Sequence, residues 1–209
     1  MNVPAIAKKS FDELQKKPEF LCIVKKMLKR LKKISNALER ARLIHKSIEE
    51  YNQEVFSHPL VKELSPCKLG CSACCHTQVS VTSDEAELLA MHVNNGLEID
   101  RERLKSLMLA GNDDDKYFAI PYKDRACIFL DSAGACRVYE DRPSVCRTNA
   151  VLGPASQCDT SRTIQPTRLI RTPKSDMVTY ASFMFSKTSG SLPHMVGKAL
   201  LIEVEIAAN

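Results

Sequence analysis

Four cysteines fall within nine positions, Cys67-Lys-Leu-Gly-Cys71-Ser-Ala-Cys74-Cys75, and His76 follows directly. A single cysteine is most often a small buried apolar residue. That explanation does not extend to four so close together. Thiolates are soft, charged ligands that bind zinc and iron–sulfur clusters tightly. A short turn can aim two or three of them at one point with little loop-closure cost. Gly70, just before Cys71, allows the tight backbone such a turn needs. A dispersed set follows at Cys127, Cys136, Cys146 and Cys158, and a long intervening segment can fold it back to the same centre. Cys22 lies far from both sets and reads as a small apolar residue.

Metal fits this pattern better than disulfides. There are nine cysteines, an odd number, and Cys74-Cys75 are adjacent. The N-terminus has no apolar run long enough for a signal peptide, and no stretch approaches the length of a membrane span. The expectation is therefore a cytoplasmic protein without membrane contact, in a reducing compartment where clustered thiols bind metal. Structural zinc sites usually use paired CxxC knuckles with four ligands. The CxxxCxxCC spacing and the scattered second set point instead to an iron–sulfur cluster, with zinc as the alternative. Eight thiols could serve one centre with sulfurs to spare, or two centres.

Three charged or titratable residues flank these cysteines. His76 could replace a thiolate or be an ordinary loop histidine. Arg142 and Arg147 bracket Cys146. They could offset thiolate charge or bind an anionic cosubstrate; the plainer reading is surface salt bridging.

The net charge of +5 is unevenly spread. Residues 1–50 hold 13 Lys/Arg against 6 Asp/Glu, a net +7, so the remainder is net −2. Ser10 to Glu13 has the form of a capping box, starting a short helix that stops before Pro18. A longer helix is expected from Glu19, with a seam of Val24, Met27, Leu31, Ile34, Leu38, Ala41, His45, Ile48, Asn52 and Val55 running through five heptads. The favoured reading is an amphipathic helix packed on its own domain, with His45 buried in the seam. The sharper alternatives are a homodimer seam, or a basic face formed by Lys25, Lys26, Lys29, Arg30, Lys32 and Lys33 for an acidic partner or protein substrate. Nucleic acid is disfavoured, because no aromatic residues are interleaved with the lysines for base stacking.

Thr82-Ser83-Asp84-Glu85 is a second capping box, with a helix from Asp84 to Val93 ending near Asn94-Asn95-Gly96. Arg101 to Leu109 reads as a helix ending at Gly111, and Asn112 to Asp115 as a polar loop. Cys127-Ile-Phe-Leu130 and Ala135 to Tyr139 read as a β-hairpin around Asp131-Ser-Ala-Gly134. Residues 151–174 look loop-rich, and Asp176–Ser186 and Leu192–Ala207 are expected as core helices. The expected fold is mainly α: a single helical domain with a small β-hairpin around a cysteine-ligated metal centre. Residues 1–60 would form the basic helical segment, 61–165 the metal-binding core, and 166–209 the helices that pack on it.

The two motifs together, CxxxCxxCC and then Cys127-Ile-Phe-Leu-Asp-Ser-Ala-Gly-Ala-Cys136-Arg-Val-Tyr-Glu-Asp-Arg142-Pro143-Ser-Val-Cys146-Arg147, resemble the YkgJ-type cysteine-cluster family, described as zinc- or iron-chelating. The resemblance covers roughly residues 64–160. Flagellin lysine N-methylases look like members of the same group. They imply methyl transfer from S-adenosylmethionine to a protein lysine, dependent on a 4Fe–4S cluster. On that resemblance Cys67, Cys71, Cys74, Cys75, Cys127, Cys136, Cys146 and Cys158 are the candidate ligands. Cys67, Cys71 and Cys74 also share the CxxxCxxC spacing of radical S-adenosylmethionine enzymes. Ala73 stands where those enzymes usually have an aromatic residue, and the chain lacks the strand–helix repeat of their barrel. That likeness is one of local geometry.

Overall fold

The computed structural model describes residues 12–161, 168–170 and 172–204. The capping box at Ser10 lies outside these residues.

The long basic helix is in fact two. Helix α1 spans Phe20–Leu31 and α2 spans Ala37–Phe56. The break falls at Asn36, which has an extended backbone and whose side-chain Oδ1 caps α2 by accepting from the Glu39 N–H at 3.1 Å. Asparagine competes for local backbone bonds and so favours a cap over a helix interior. The five-heptad seam is thereby interrupted at Ile34. Phe20, Val24, Met27 and Leu31 of α1, and Ile44 and Ile48 of α2, bury against Met177, Val178 and Ala181 of α8 (Pro173–Phe185). The apolar periodicity is thus consumed inside this chain, and Lys25, Lys26, Lys29, Arg30, Lys32 and Lys33 are exposed. Cys22 is exposed on α1 rather than packed: it falls on the lysine-bearing face, two positions before buried Val24.

A second core forms around α4 (Ser83–Asn94), α5 (Arg101–Leu109) and α9 (Leu192–Ala199). Val81, Leu89, Leu104, Leu107, Ile128, Phe129, Leu192 and Val196 fill it. The Thr82 capping box forms as expected: Thr82 Oγ1 accepts from Glu85 N at 3.3 Å, and the Glu85 carboxylate accepts from Thr82 N at 3.0 Å. Gly96, at φ +98°, ends α4 in a left-handed turn. α9 stops at Ala199, earlier than expected. Leu201 takes a positive φ and Ile202 N bonds back to Gly197 O at 2.9 Å, returning Ile202 to the core.

Two other expectations are corrected. The polar loop ends at Asp113, which caps a short helix, α6 (Asp114–Ala119), whose first turn carries Asp114 and Asp115. The 127–139 hairpin contracts to one bridge, Leu130 with Cys136. Ile128 and Phe129 are both buried in succession, so the alternation a strand needs is absent. Asp131 instead holds a tight turn, accepting from Ala133 N at 2.9 Å and Ala135 N at 2.8 Å. Among the described residues, sheet forms by distant antiparallel pairing: β1 (Ser80–Thr82) with β4 (Ser189–Ser191), and β2 (Val151–Leu152) with β3 (Arg168–Leu169). The fold is mainly helical, as expected, and among the described residues no helix is long and apolar enough to cross a membrane.

Candidate metal centre

The compact cysteine set winds through two tight turns. Cys71 N bonds to Lys68 O at 3.0 Å across Gly70, which takes φ +90°. Cys75 N bonds to Ser72 O at 2.8 Å and opens a 3-10 turn, Ala73–His76. The dispersed set is brought to this loop at several points. Cys127 N donates to Cys75 O at 2.8 Å, and Val151 N donates to the Cys67 thiol at 3.4 Å. The 3-10 turn Ala155–Cys158 packs on the turn Ala73–His76. Gly134 lies so close that a Cβ there would sit 3.2 Å from Ser72 Oγ. Cys146 rides on α7 (Ser144–Thr148), directly after Pro143.

Helix α7 is fastened from behind by polar groups that the spacing of cysteines does not reveal. Glu85 is 1% exposed. One of its oxygens accepts from Ser144 N at 2.6 Å and lies 3.2 Å from His45 Nε2; the other takes both donors of Thr82. Burial opposes its charge, but the His45 and backbone donors prevail and hold its pKa down at about 2. His45 is therefore a packed histidine, as expected. Asn52 donates to Arg147 O at 3.0 Å and accepts from Ser175 Oγ at 2.7 Å, joining α2, α7 and α8. The capping box was legible at Glu85; its second bond, to Ser144, spans 59 positions and was not.

The thiols form one electrostatic network centred on Cys74. The Cys75 thiol donates to Cys74, and with help from the Arg142 charge this brings Cys74 down to about 7, against burial. Cys75 is pushed far up by the same bond, by burial, and by Cys74, Cys127 and Cys146. Burial raises Cys127 to about 11, with Cys136 and Cys74 adding to it. Burial raises Cys158 to about 11 as well, with Cys74, Cys67 and Cys71 adding. Cys146 is raised well above the usual thiol range, first by burial and then by Cys127, Cys74 and Cys136. Cys71 and Cys136 are raised by burial too. Each half of the cysteine pattern thus acts on the other, and Cys22 stands apart.

Most of these thiols are held neutral. Among the described residues, no three His, Cys, Asp or Glu side chains stand together in the geometry of a bound ion. That spacing suits neutral neighbours, because several thiolates drawn to ligand distance repel one another until a cation offsets them. The donor set, all sulfur and crowded, matches the chemistry of zinc or iron.

The flanking residues divide. Arg147 is buried and its guanidinium is fully engaged, with Glu49 at 2.5 Å, Arg142 O at 2.8 Å and Glu140 O. Arg142 lies over the Tyr139 ring at 3.9 Å and 3.6 Å from Glu49, with its Nε buried and unpaired. Both charges oppose the rise that burial causes at Cys136, and Arg142 helps to lower Cys74. His76 stacks on Tyr122 at 4.2 Å.

Residues 66–168 match the model of a family described as CxxCxxCC, "Putative zinc- or iron-chelating domain". This span of the chain is thus similar to that cysteine-cluster family. No curated protein and no solved structure matches the chain. The matched span holds all eight clustered cysteines, α7 and both flanking arginines, while α1, α2 and α8 lie outside it. The cysteine-cluster domain is therefore metal-binding, and α2 and α8, which Asn52 joins to α7, lie outside the matched span.

Proposed function

We propose that the cysteine-cluster domain holds a 4Fe–4S centre on thiolates drawn from Cys67, Cys71, Cys74, Cys75, Cys127, Cys136, Cys146 and Cys158. The observation that carries this reading is the single electrostatic network of sulfurs from distant stretches, which offers more thiols than the four a zinc site takes. A cluster so held would supply redox chemistry, or an open iron for the amino and carboxylate groups of S-adenosylmethionine. The chain's own residues do the rest. Arg142 and Arg147 place positive charge beside the sulfurs, and Glu85 and Asn52 fix α7 and so Cys146. The activity implied by the resemblance is methyl transfer from S-adenosylmethionine to a protein lysine. The exposed lysine face of α1 suits an acidic protein partner. The competing reading is a non-catalytic zinc or iron protein for storage, sensing or scaffold.

Oxygen-free purification with iron, sulfide and zinc analysis tests the centre. A brown protein with about four irons per chain supports it. A colourless protein with stoichiometric zinc replaces it with the zinc reading. Calorimetry with S-adenosylmethionine on the brown protein then tests the activity; no heat with the cluster intact removes methyl transfer.

A further inference from the structure

Arg125 is 4% exposed, yet its Nε and Nη1 have no hydrogen-bond partner. Its Nη2 reaches only the Thr160 carbonyl, at 3.4 Å. No carboxylate stands within ion-pair distance of it among the described residues. The nearby Asp159 takes a hydrogen bond from the Tyr122 phenol. Burying a guanidinium with two unmet donors is costly, and proteins seldom leave such a charge uncompensated. The hydroxyl of the same Thr160 is also buried and unpaired. So is His76 Nδ1, on the ring stacked against Tyr122.

The walls are aromatic. The guanidinium lies 4.9 Å from the Phe118 ring centre and 5.6 Å from that of Tyr122. Phe118 is 43% exposed, so the aromatic wall of the site reaches the surface. Aromatic faces hold the cation by its π side and leave the N–H edge for an acceptor. Apolar walls also lower the local dielectric and strengthen any bond made to an anion.

We propose that Arg125, walled by Phe118 and Tyr122, binds a small oxyanion: the carboxylate or phosphate group of a ligand that reaches the cysteine layer. The site is distinct from Arg142 and Arg147, which the sequence marks as anion-binding candidates, and it is independent of which metal the thiols hold.

The test uses the full, metal-loaded chain, 15N-labelled at arginine. Inorganic phosphate and acetate are titrated separately against a chloride control at constant ionic strength, and the Arg125 side-chain N–H resonance is followed. The expected result is a saturable shift with phosphate, acetate or both; the stronger one identifies the headgroup. Arg125→Gln should weaken that binding by about tenfold or more, as loss of a charge-assisted hydrogen bond does. Phe118→Leu, at an exposed position, should weaken it less. If neither anion shifts the resonance, or the binding survives unchanged in Arg125→Gln, the proposal is wrong. Should Arg125→Gln fail to fold, the wild-type titration and Phe118→Leu decide it.

Discussion

In the bundle of α1, α2 and α8, Ile48 and Met177 have no solvent exposure and belong to one apolar cluster. In the cysteine layer none of the eight clustered cysteines reaches full burial, and the chain runs in turns of three to five residues. The bundle is stabilised by apolar area removed from water. The layer shares such area with the second core through Ile128, Phe129 and Val138. It is held by backbone bonds between turns, by Asp131, and by the polar fastenings of α7. One region folds on its own chemistry; the other is shaped for something added to it.

Metal removal should break the two regions apart most sharply. Structural thiolate sites contribute on the order of 10 kcal/mol of binding energy to folding. Chelation, or Cys74→Ser with Cys146→Ser, should therefore abolish metal content and open the cysteine layer. Hydrogen exchange should show its amides losing protection while those of α1, α2 and α8 keep theirs. Equal loss in both regions would mean they are one cooperative unit.

Glu85→Ala attacks the joint. It strips Ser144 N, Thr82 and His45 of their shared acceptor, and breaking a buried charged network of this kind costs about 3–5 kcal/mol. Denaturant unfolding should show that loss, with weakened metal retention beyond it. The pH dependence follows from the same carboxylate. Its folded pKa, about 2, lies below the unfolded 4.5. Its contribution is therefore whole above pH 4.5 and fades as pH falls towards 2. Glu85→Gln should flatten the acid limb of stability across that window.

Ile48→Ala should cost the bundle about 2–5 kcal/mol, the usual range for a buried aliphatic. Metal content per folded chain should not change; if it does, the layer depends on bundle packing as well as on Glu85 and Asn52. Asn36→Ala is the mildest test. Losing its cap on α2 should cost about 1 kcal/mol in thermal unfolding, and a much smaller effect would mean that packing alone sets the break.

The cysteine spacing, the Thr82 capping box and the α5 boundaries were readable because each depends on residues within a turn or two of one another. The apolar period of α1 and α2 was readable too, but its interruption was not. One asparagine cap carries less weight in a periodic count than ten matching positions. The hairpin was misread because turn residues between apolar pairs look alike whether the pairs alternate or bury together.

What the sequence by itself determined is the donor set: eight thiols, four of them packed into nine positions, of a kind that local geometry can gather around a metal. What only the tertiary structure decided is how those thiols meet and what stands behind them. The Cys127–Cys75 seam, the Glu85 and Asn52 fastenings of α7 and the unmet donors of Arg125 join residues far apart in the chain. Ligand chemistry belongs to side chains and survives in the sequence. Burial, charge and hydrogen-bond partnership belong to neighbours, and those exist only once the chain has folded.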